Sequence, residues 1–202
     1  MYCVNLKLTV ASILAFLIIA PVSAQRRIII LGPQLAVAYN SLSSVASSGP
    51  GVSMKYDRFV SSHLAFTFSL DYINFTRASG NVNPGVKLVE PSSKLITLSE
   101  QLGCKYYPWK KSDHKGFYLS AEAGILTSWL KYYDAGKLYS SIDQTNFSYR
   151  YGFGLSSRHF DYGILWQNFY QQNNEISLVY GTGIQNNPLK YFCIRVSYIF
   201  PD

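Results

Sequence analysis

Charge is scarce in this 202-residue chain: Asp, Glu, Lys and Arg together make up 14% of it, well under the roughly 25% usual in soluble domains. Acidic residues are the scarcer sign, 11 against 18 Lys and Arg, which leaves a net charge of +7. A basic excess can signal nucleic-acid binding. Here the basic residues do not cluster, and only Arg26-Arg27 and Lys110-Lys111 are adjacent. No helix-turn-helix and no aromatic RNA-binding motif occurs, so no nucleic-acid partner is expected. Diffuse positive charge suits a protein lying among anionic lipid headgroups.

Cysteine is also sparse: Cys3, Cys104 and Cys193. Cys3 belongs to the targeting segment below, and the sequence leaves open whether Cys104 and Cys193 pair. With no Cys-x-x-Cys and with His63, His114 and His159 far apart, a zinc site is not expected. No cofactor and no metal is implied.

Long apolar runs are confined to the amino terminus. Lys7 precedes the apolar stretch Leu8 to Ile19, Pro21 breaks it, and Val22-Ser23-Ala24 offers small residues for cleavage before Gln25. The stretch is shorter than the roughly 20 residues a spanning helix needs, so residues 1–24 are expected to be a signal peptide. No Cys follows that site, which argues against a lipoprotein. A mature chain, 25–202, without an apolar helix can cross a membrane only as a closed barrel.

What is abundant is aromatic: 16% of residues, with 17 Tyr and 12 Phe. A ring with a polar tip suits the membrane–water boundary. These rings fall on eight segments with period-two alternation. The first, about Ile28 to Tyr39, sets Ile29, Leu31, Leu35, Val37 and Tyr39 against Gly32, Gln34, Ala36 and Ala38. The second, about Gly51 to Val60, opposes Val52, Met54 and Tyr56 to Ser53, Lys55 and Asp57. The third aligns Leu64, Phe66, Phe68, Leu70 and Tyr72 against Ala65, Thr67, Ser69 and Asp71.

The fourth, about Leu95 to Tyr107, carries Ile96, Leu98, Leu102, Cys104 and Tyr106 on one face. Glu100 falls among them, a defect that a β-bulge would resolve. The fifth, Gly116 to Trp129, opposes Phe117, Leu119, Ala121, Ala123, Ile125 and Trp129 to Tyr118, Ser120, Glu122, Gly124 and Ser128. The sixth sets Phe147, Tyr149, Tyr151, Phe153 and Leu155 against Asn146, Ser148, Arg150, Gly152 and Gly154. The seventh sets Phe160, Tyr162, Ile164, Trp166 and Tyr170 against Asp161, Gly163 and Gln167. The eighth sets Phe192, Ile194, Val196, Tyr198 and Phe200 against Tyr191, Cys193, Arg195 and Ser197.

Each run lasts about nine residues or more, the length a tilted strand needs to cross a bilayer. One face is bulky and apolar, the other small and polar, the reverse of a soluble barrel. The apolar face is expected against lipid and the polar face in a narrow lumen. Connections alternate in length: short at Val60–His63, Pro108–Lys115 and Ser156–His159, long at Asn40–Pro50, Thr76–Lys94, Lys131–Asp143 and Gln171–Pro188. The expected fold is an all-β, eight-stranded antiparallel up-and-down transmembrane barrel. It would sit in the outer membrane with both termini periplasmic.

The opening strand with Gly32, "LITLSEQLGCKYYP" at Leu95–Pro108 and "GFYLSAEAGI" at Gly116–Ile125 resemble the small outer-membrane β-barrel proteins of the "outer membrane protein beta-barrel domain" or "porin family", common in Bacteroidota. The terminal strand resembles the signal read by the barrel-assembly machinery. Tyr198 and Phe200 supply its aromatic pair, while Arg195 stands where a Gly is usual. The implied partners are outer-membrane lipid, lipopolysaccharide and that machinery.

Eight charged residues fall on the expected lumen face: Lys55, Asp57, Asp71, Lys105, Glu122, Arg150, Asp161 and Arg195. An eight-stranded lumen holds side chains but no wide channel, so these charges are expected to pair as a polar plug. A narrow porin-like conduit is the alternative. A lipid A-modifying enzyme would need a base beside a hydroxyl at the outer rim. The candidates, His159 with Ser156 or Ser157 and His63 with Ser61 or Ser62, lie at short periplasmic turns, so no catalytic residue is assigned. Ser-, Asn- and Gly-rich long connections suit an extracellular loop partner. The expected role is therefore structural or loop-mediated interaction in the envelope. A soluble lipocalin-like barrel is the minor alternative.

Overall fold

The computed structural model describes residues 27–39, 42, 46–76, 92–109, 115–134, 137–169 and 189–201. They form eight strands: β1 (Arg27–Tyr39), β2 (Ser48–Phe59), β3 (Leu64–Phe75), β4 (Ser92–Tyr106), β5 (Gly116–Asp134), β6 (Lys137–Ser156), β7 (Phe160–Phe169) and β8 (Leu189–Pro201). Each pairs antiparallel with its sequence neighbours, and β8 returns to β1, closing the barrel. Closure leaves no sheet edge with unpaired N–H and C=O groups, the condition for spanning hydrocarbon with strands. Two consecutive rungs of the closing seam are missing from the ladder. Pro33 has no N–H to donate, and the β1–β8 register passes from Leu31↔Tyr198 to Gln34↔Arg195 without pairing Gly32 or Pro33.

The alternation read from the sequence is the alternation of the walls. In β1 the burial pattern switches at every residue as far as Leu35, with Ile29, Leu31 and Leu35 exposed and Ile28, Ile30 and Gln34 buried. Phe66 is 47% exposed and Tyr151 50%, while Thr67 between the outward Phe66 and Phe68 is fully buried. An outward apolar surface running round a whole barrel far exceeds the few hundred Å² a soluble monomer leaves uncovered. Lipid is the medium that covers it.

Both termini of the barrel lie at one end, where Ile28 faces Pro201 across the seam. The tight turns are at this end too. Val60 N–H donates to Leu64 O at 3.0 Å, and Ser157 N–H to Phe160 O at 2.7 Å. β5 opens there on Gly116, whose φ of 126° is a conformation that side-chain-bearing residues resist.

Three expectations need correction. The segment 131–143 is not a long loop: β5 and β6 stay paired to Asp134↔Lys137, leaving two residues between them, with a register shift at Tyr132/Tyr133. The extra length is a paired ribbon, and β4 joins it as far as Ser92↔Tyr133. Second, β2 begins at Ser48, so the first long connection is shorter than 40–50. Third, no bulge re-aims Glu100. It pairs in unbroken register with Leu70 and Ile125 and stays on the outward face, half-buried. Tyr170 and all of 171–188 lie outside the described residues.

Candidate functional site: a charge network sealed in the lumen

The eight predicted lumen charges all point inward, and each is at most 4% exposed. They resolve into two clusters. In the first, Lys55 Nζ donates to Glu122 Oε1 at 3.0 Å, and Arg150 bridges Glu122 and Asp71. Ser69 Oγ completes it, donating to Glu122 Oε2 at 2.7 Å. In the second, Lys105 Nζ donates to Asp57 Oδ2 at 2.6 Å and lies 3.6 Å from Asp161 Oδ1. Arg195 donates to Asp161 Oδ2 at 2.8 Å, and Thr67 Oγ1 to Asp57 Oδ1 at 2.8 Å. Each cluster holds two cations and two carboxylates, so each is neutral. An ion out of water costs several kcal/mol unless it is paired and hydrogen-bonded; charge balance within each cluster meets the first half of this condition, while Asp71 Oδ1, Arg150 Nε and Arg195 Nε and Nη1 make no hydrogen bond among the described residues.

Tyr118 is the hinge of the second cluster. Its hydroxyl donates to Asp161 Oδ2 at 3.0 Å and accepts from Arg195 at 3.3 Å, while Lys105 Nζ sits 4.6 Å from its ring centre. Sequence reasoning placed Tyr118 inside but gave it no role.

Small residues on neighbouring strands make room for the large charged ones. Gly103 faces Glu122, and a Cβ there would lie 2.1 Å from Ala121 O and 2.5 Å from Glu122 Cα. Gly163 faces Arg195, and a Cβ there would meet its guanidinium at 3.1 Å and the Tyr118 hydroxyl at 3.2 Å. Arg195 is thus accommodated by a glycine on the next strand.

The lumen is less polar than its mid-strand residues suggest. Towards the end where both termini lie, Ile28, Ile30, Phe59, Ala65, Tyr107, Tyr118 and Ile199 pack together. Towards the opposite end a second cluster includes Ile73, Phe75, Leu126, Leu165, Phe169 and Tyr191. The charged clusters lie between these two apolar layers. Both layers continue the inward parity of the strands, as in Asp71, Ile73 and Phe75, and that parity is the signal that could have located them.

The histidine–serine pairs serve their turns. Ser61 Oγ accepts from the N–H groups of His63 and Leu64, and Ser157 Oγ both accepts from Phe160 N–H and donates to Phe160 O. His63 Nδ1 lies 3.0 Å from Ser62 Oγ, its sequence neighbour, and His159 stacks on Tyr198. Cys104 faces outward and Cys193 inward, on non-adjacent strands, and both are free thiols. No group of three metal-ligating side chains occurs among the described residues.

No family model and no curated protein matches the sequence. Among solved structures, the chain is similar to Ail, the attachment invasion locus protein of Yersinia pestis. The TM-score is 0.57 at 12% identity, over 88% of this chain and 100% of that one. A second structure of Ail, in complex with the heparin analogue sucrose octasulfate, gives 0.56 at the same identity and coverage. Identity this low carries the fold. That fold is an eight-stranded antiparallel closed β-barrel. An even strand number returns the chain to the side it started from, so both termini of the barrel lie at one end. These Yersinia structures lend nothing to the Bacteroidota resemblance.

Proposed function

We propose that this barrel is a non-conducting envelope protein, structural in its wall and interactive at its outward loops. The observation that supports this is the lumen: two neutral ion-paired clusters stacked between two apolar layers. An eight-stranded barrel filled with side chains has no continuous water path. Porin-like conduction would require both apolar layers and both clusters to rearrange. Planar-bilayer recording of the purified chain is the test. A silent bilayer is expected, and reproducible unitary currents would replace this reading with the narrow-conduit one.

The same proposal assigns residues 1–24 as a cleaved signal peptide and Tyr198 and Phe200 as the aromatic pair read by the barrel-assembly machinery. Both aromatics face outward at the end of β8, with ring centroids 4.8 Å apart. Lipid and lipopolysaccharide are the surrounding partners. For the loops, a polyanionic sugar is the first class to test, given the net charge of +7 and the sucrose octasulfate complex of Ail. Retention of the folded chain on immobilised heparin, released by salt, would support it; flow-through at low salt would not.

A further inference from the structure

Four lumen side chains keep polar atoms that no described residue satisfies: Asp71 Oδ1, Ser53 Oγ, Ser197 Oγ, and Nε and Nη1 of Arg195. Each of these residues is 1% exposed. Buried polar groups left unpaired are costly, and native proteins pair nearly all of them with protein or ordered water.

Strand register sets the four in one row. Asp71 faces Ser53 across the β2–β3 ladder, and Ser53 faces Gly32 across the β1–β2 ladder. Beyond Gly32, Ser197 Oγ lies 2.6 Å from the point where a Cβ on Gly32 would stand. The Ser197 hydroxyl thus takes the place of the side chain that Gly32 lacks, which carries it towards Ser53. Ser197 in turn faces Asp161 across the β7–β8 ladder, and Arg195 reaches the same rung, its Nη2 donating to Asp161 Oδ2 at 2.8 Å. The row therefore runs from β3 through β2 and β1 to β8. It starts at Asp71 in the first ion-paired cluster and ends at Arg195 in the second.

The chemistry along the row selects its occupant. One end is a carboxylate oxygen, which accepts. The other is a guanidinium edge, which donates. The two hydroxyls between them can do both. Facing Cβ atoms on neighbouring strands stand about 5 Å apart, a gap that one bridging molecule of water size closes. Both ion-paired clusters are already neutral, so an ion here would be a buried charge with no counter-charge. Water is neutral, donates and accepts, and is held where two to four polar partners converge.

We infer that Asp71, Ser53, Ser197 and Arg195 hold an enclosed group of water molecules that links the two ion-paired clusters. The site rests on the sealed-lumen reading above, since a lumen open to bulk solvent would exchange its water freely. The test is water-oxygen magnetic relaxation dispersion on the full chain folded in detergent micelles. It registers long-lived bound water and is blind to exchanging hydroxyl protons. A dispersion from long-lived water is expected in the parent. S53V replaces the central hydroxyl with methyl groups that fill its space, and should reduce the amplitude. T127V, on the outer face, should leave it unchanged. Folding is checked by heat-modifiable gel migration. If S53V does not fold, S53A removes the same hydroxyl and should also reduce the amplitude. A parent without dispersion, or a folded Ser53 variant with the parent's amplitude, overturns the inference; with a silent planar bilayer, the sealed-lumen reading then still stands. Chloride relaxation that is enhanced by the parent and not by the Ser53 variant also overturns it, because the occupant would be an anion. Unitary currents in the bilayer overturn the sealed lumen and the enclosed site together.

Discussion

Substituting Glu122→Gln tests how the lumen network holds the barrel together. Glu122 is 4% exposed and accepts from Lys55, Arg150 and Ser69. Removing its charge turns a neutral cluster of two cations and two carboxylates into one with a net positive charge. Lys55 loses its ion-pair partner, while Arg150 keeps Asp71. Breaking a buried pair by removing one member costs about 3–5 kcal/mol. A charge-balanced double substitution, Lys55→Met with Glu122→Leu, removes both members and leaves Arg150 with Asp71. Such replacements are often close to neutral. Urea unfolding in lipid vesicles, followed by tryptophan fluorescence and heat-modifiable migration, should therefore rank E122Q well below the double variant. An E122Q protein within about 1 kcal/mol of the parent, the range of solvated ion pairs, would refute the reasoning. The lumen would then be wet, and the pairs would contribute little.

Further substitutions probe the packing around the same network. Gly103→Ala should destabilise the barrel by about 1–3 kcal/mol, because the new methyl group meets the β5 backbone at Ala121 and Glu122; unfolding midpoints measure it. Tyr118→Phe removes the hydroxyl that Asp161 and Arg195 share. It should cost about 1.5–3 kcal/mol, the range for hydrogen bonds to charged groups, with no change in fold by circular dichroism.

The walls were legible in the sequence because a strand exposes its environment residue by residue. Phe66, Thr67 and Phe68 need no distant partner to show which side is lipid, and the same holds along all eight strands. The partners within the lumen were not legible. Lys55 meets Glu122 across 67 residues of chain, and Arg150 meets Asp71 across 79. Such meetings depend on strand tilt and register around the closed barrel, which local alternation does not carry. The β5–β6 ribbon was misread for a related reason. Lys131 to Asp143 has the Tyr, Ser, Asp and Gly content of a loop, and it is strand because two long neighbours stay paired beyond the bilayer belt. Glu100 shows the limit of the opposite argument. A residue that breaks the pattern suggested a bulge, yet the ladder runs through it and the carboxylate remains outward.

The central claim is that the bulky face meets lipid while the charged face is sealed inside. Nitroxide labels read this directly when placed on single cysteines at Phe66 and Tyr151, outward, and at Thr67, inward, in a C104S/C193S background. In vesicles, the labels at 66 and 151 should collide with oxygen dissolved in the hydrocarbon and be shielded from an aqueous nickel chelate. The label at 67 should be shielded from the chelate as well, and immobilised. Strong chelate collision at 66 and 151 would contradict the membrane orientation, and strong chelate collision at 67 would contradict the sealed lumen.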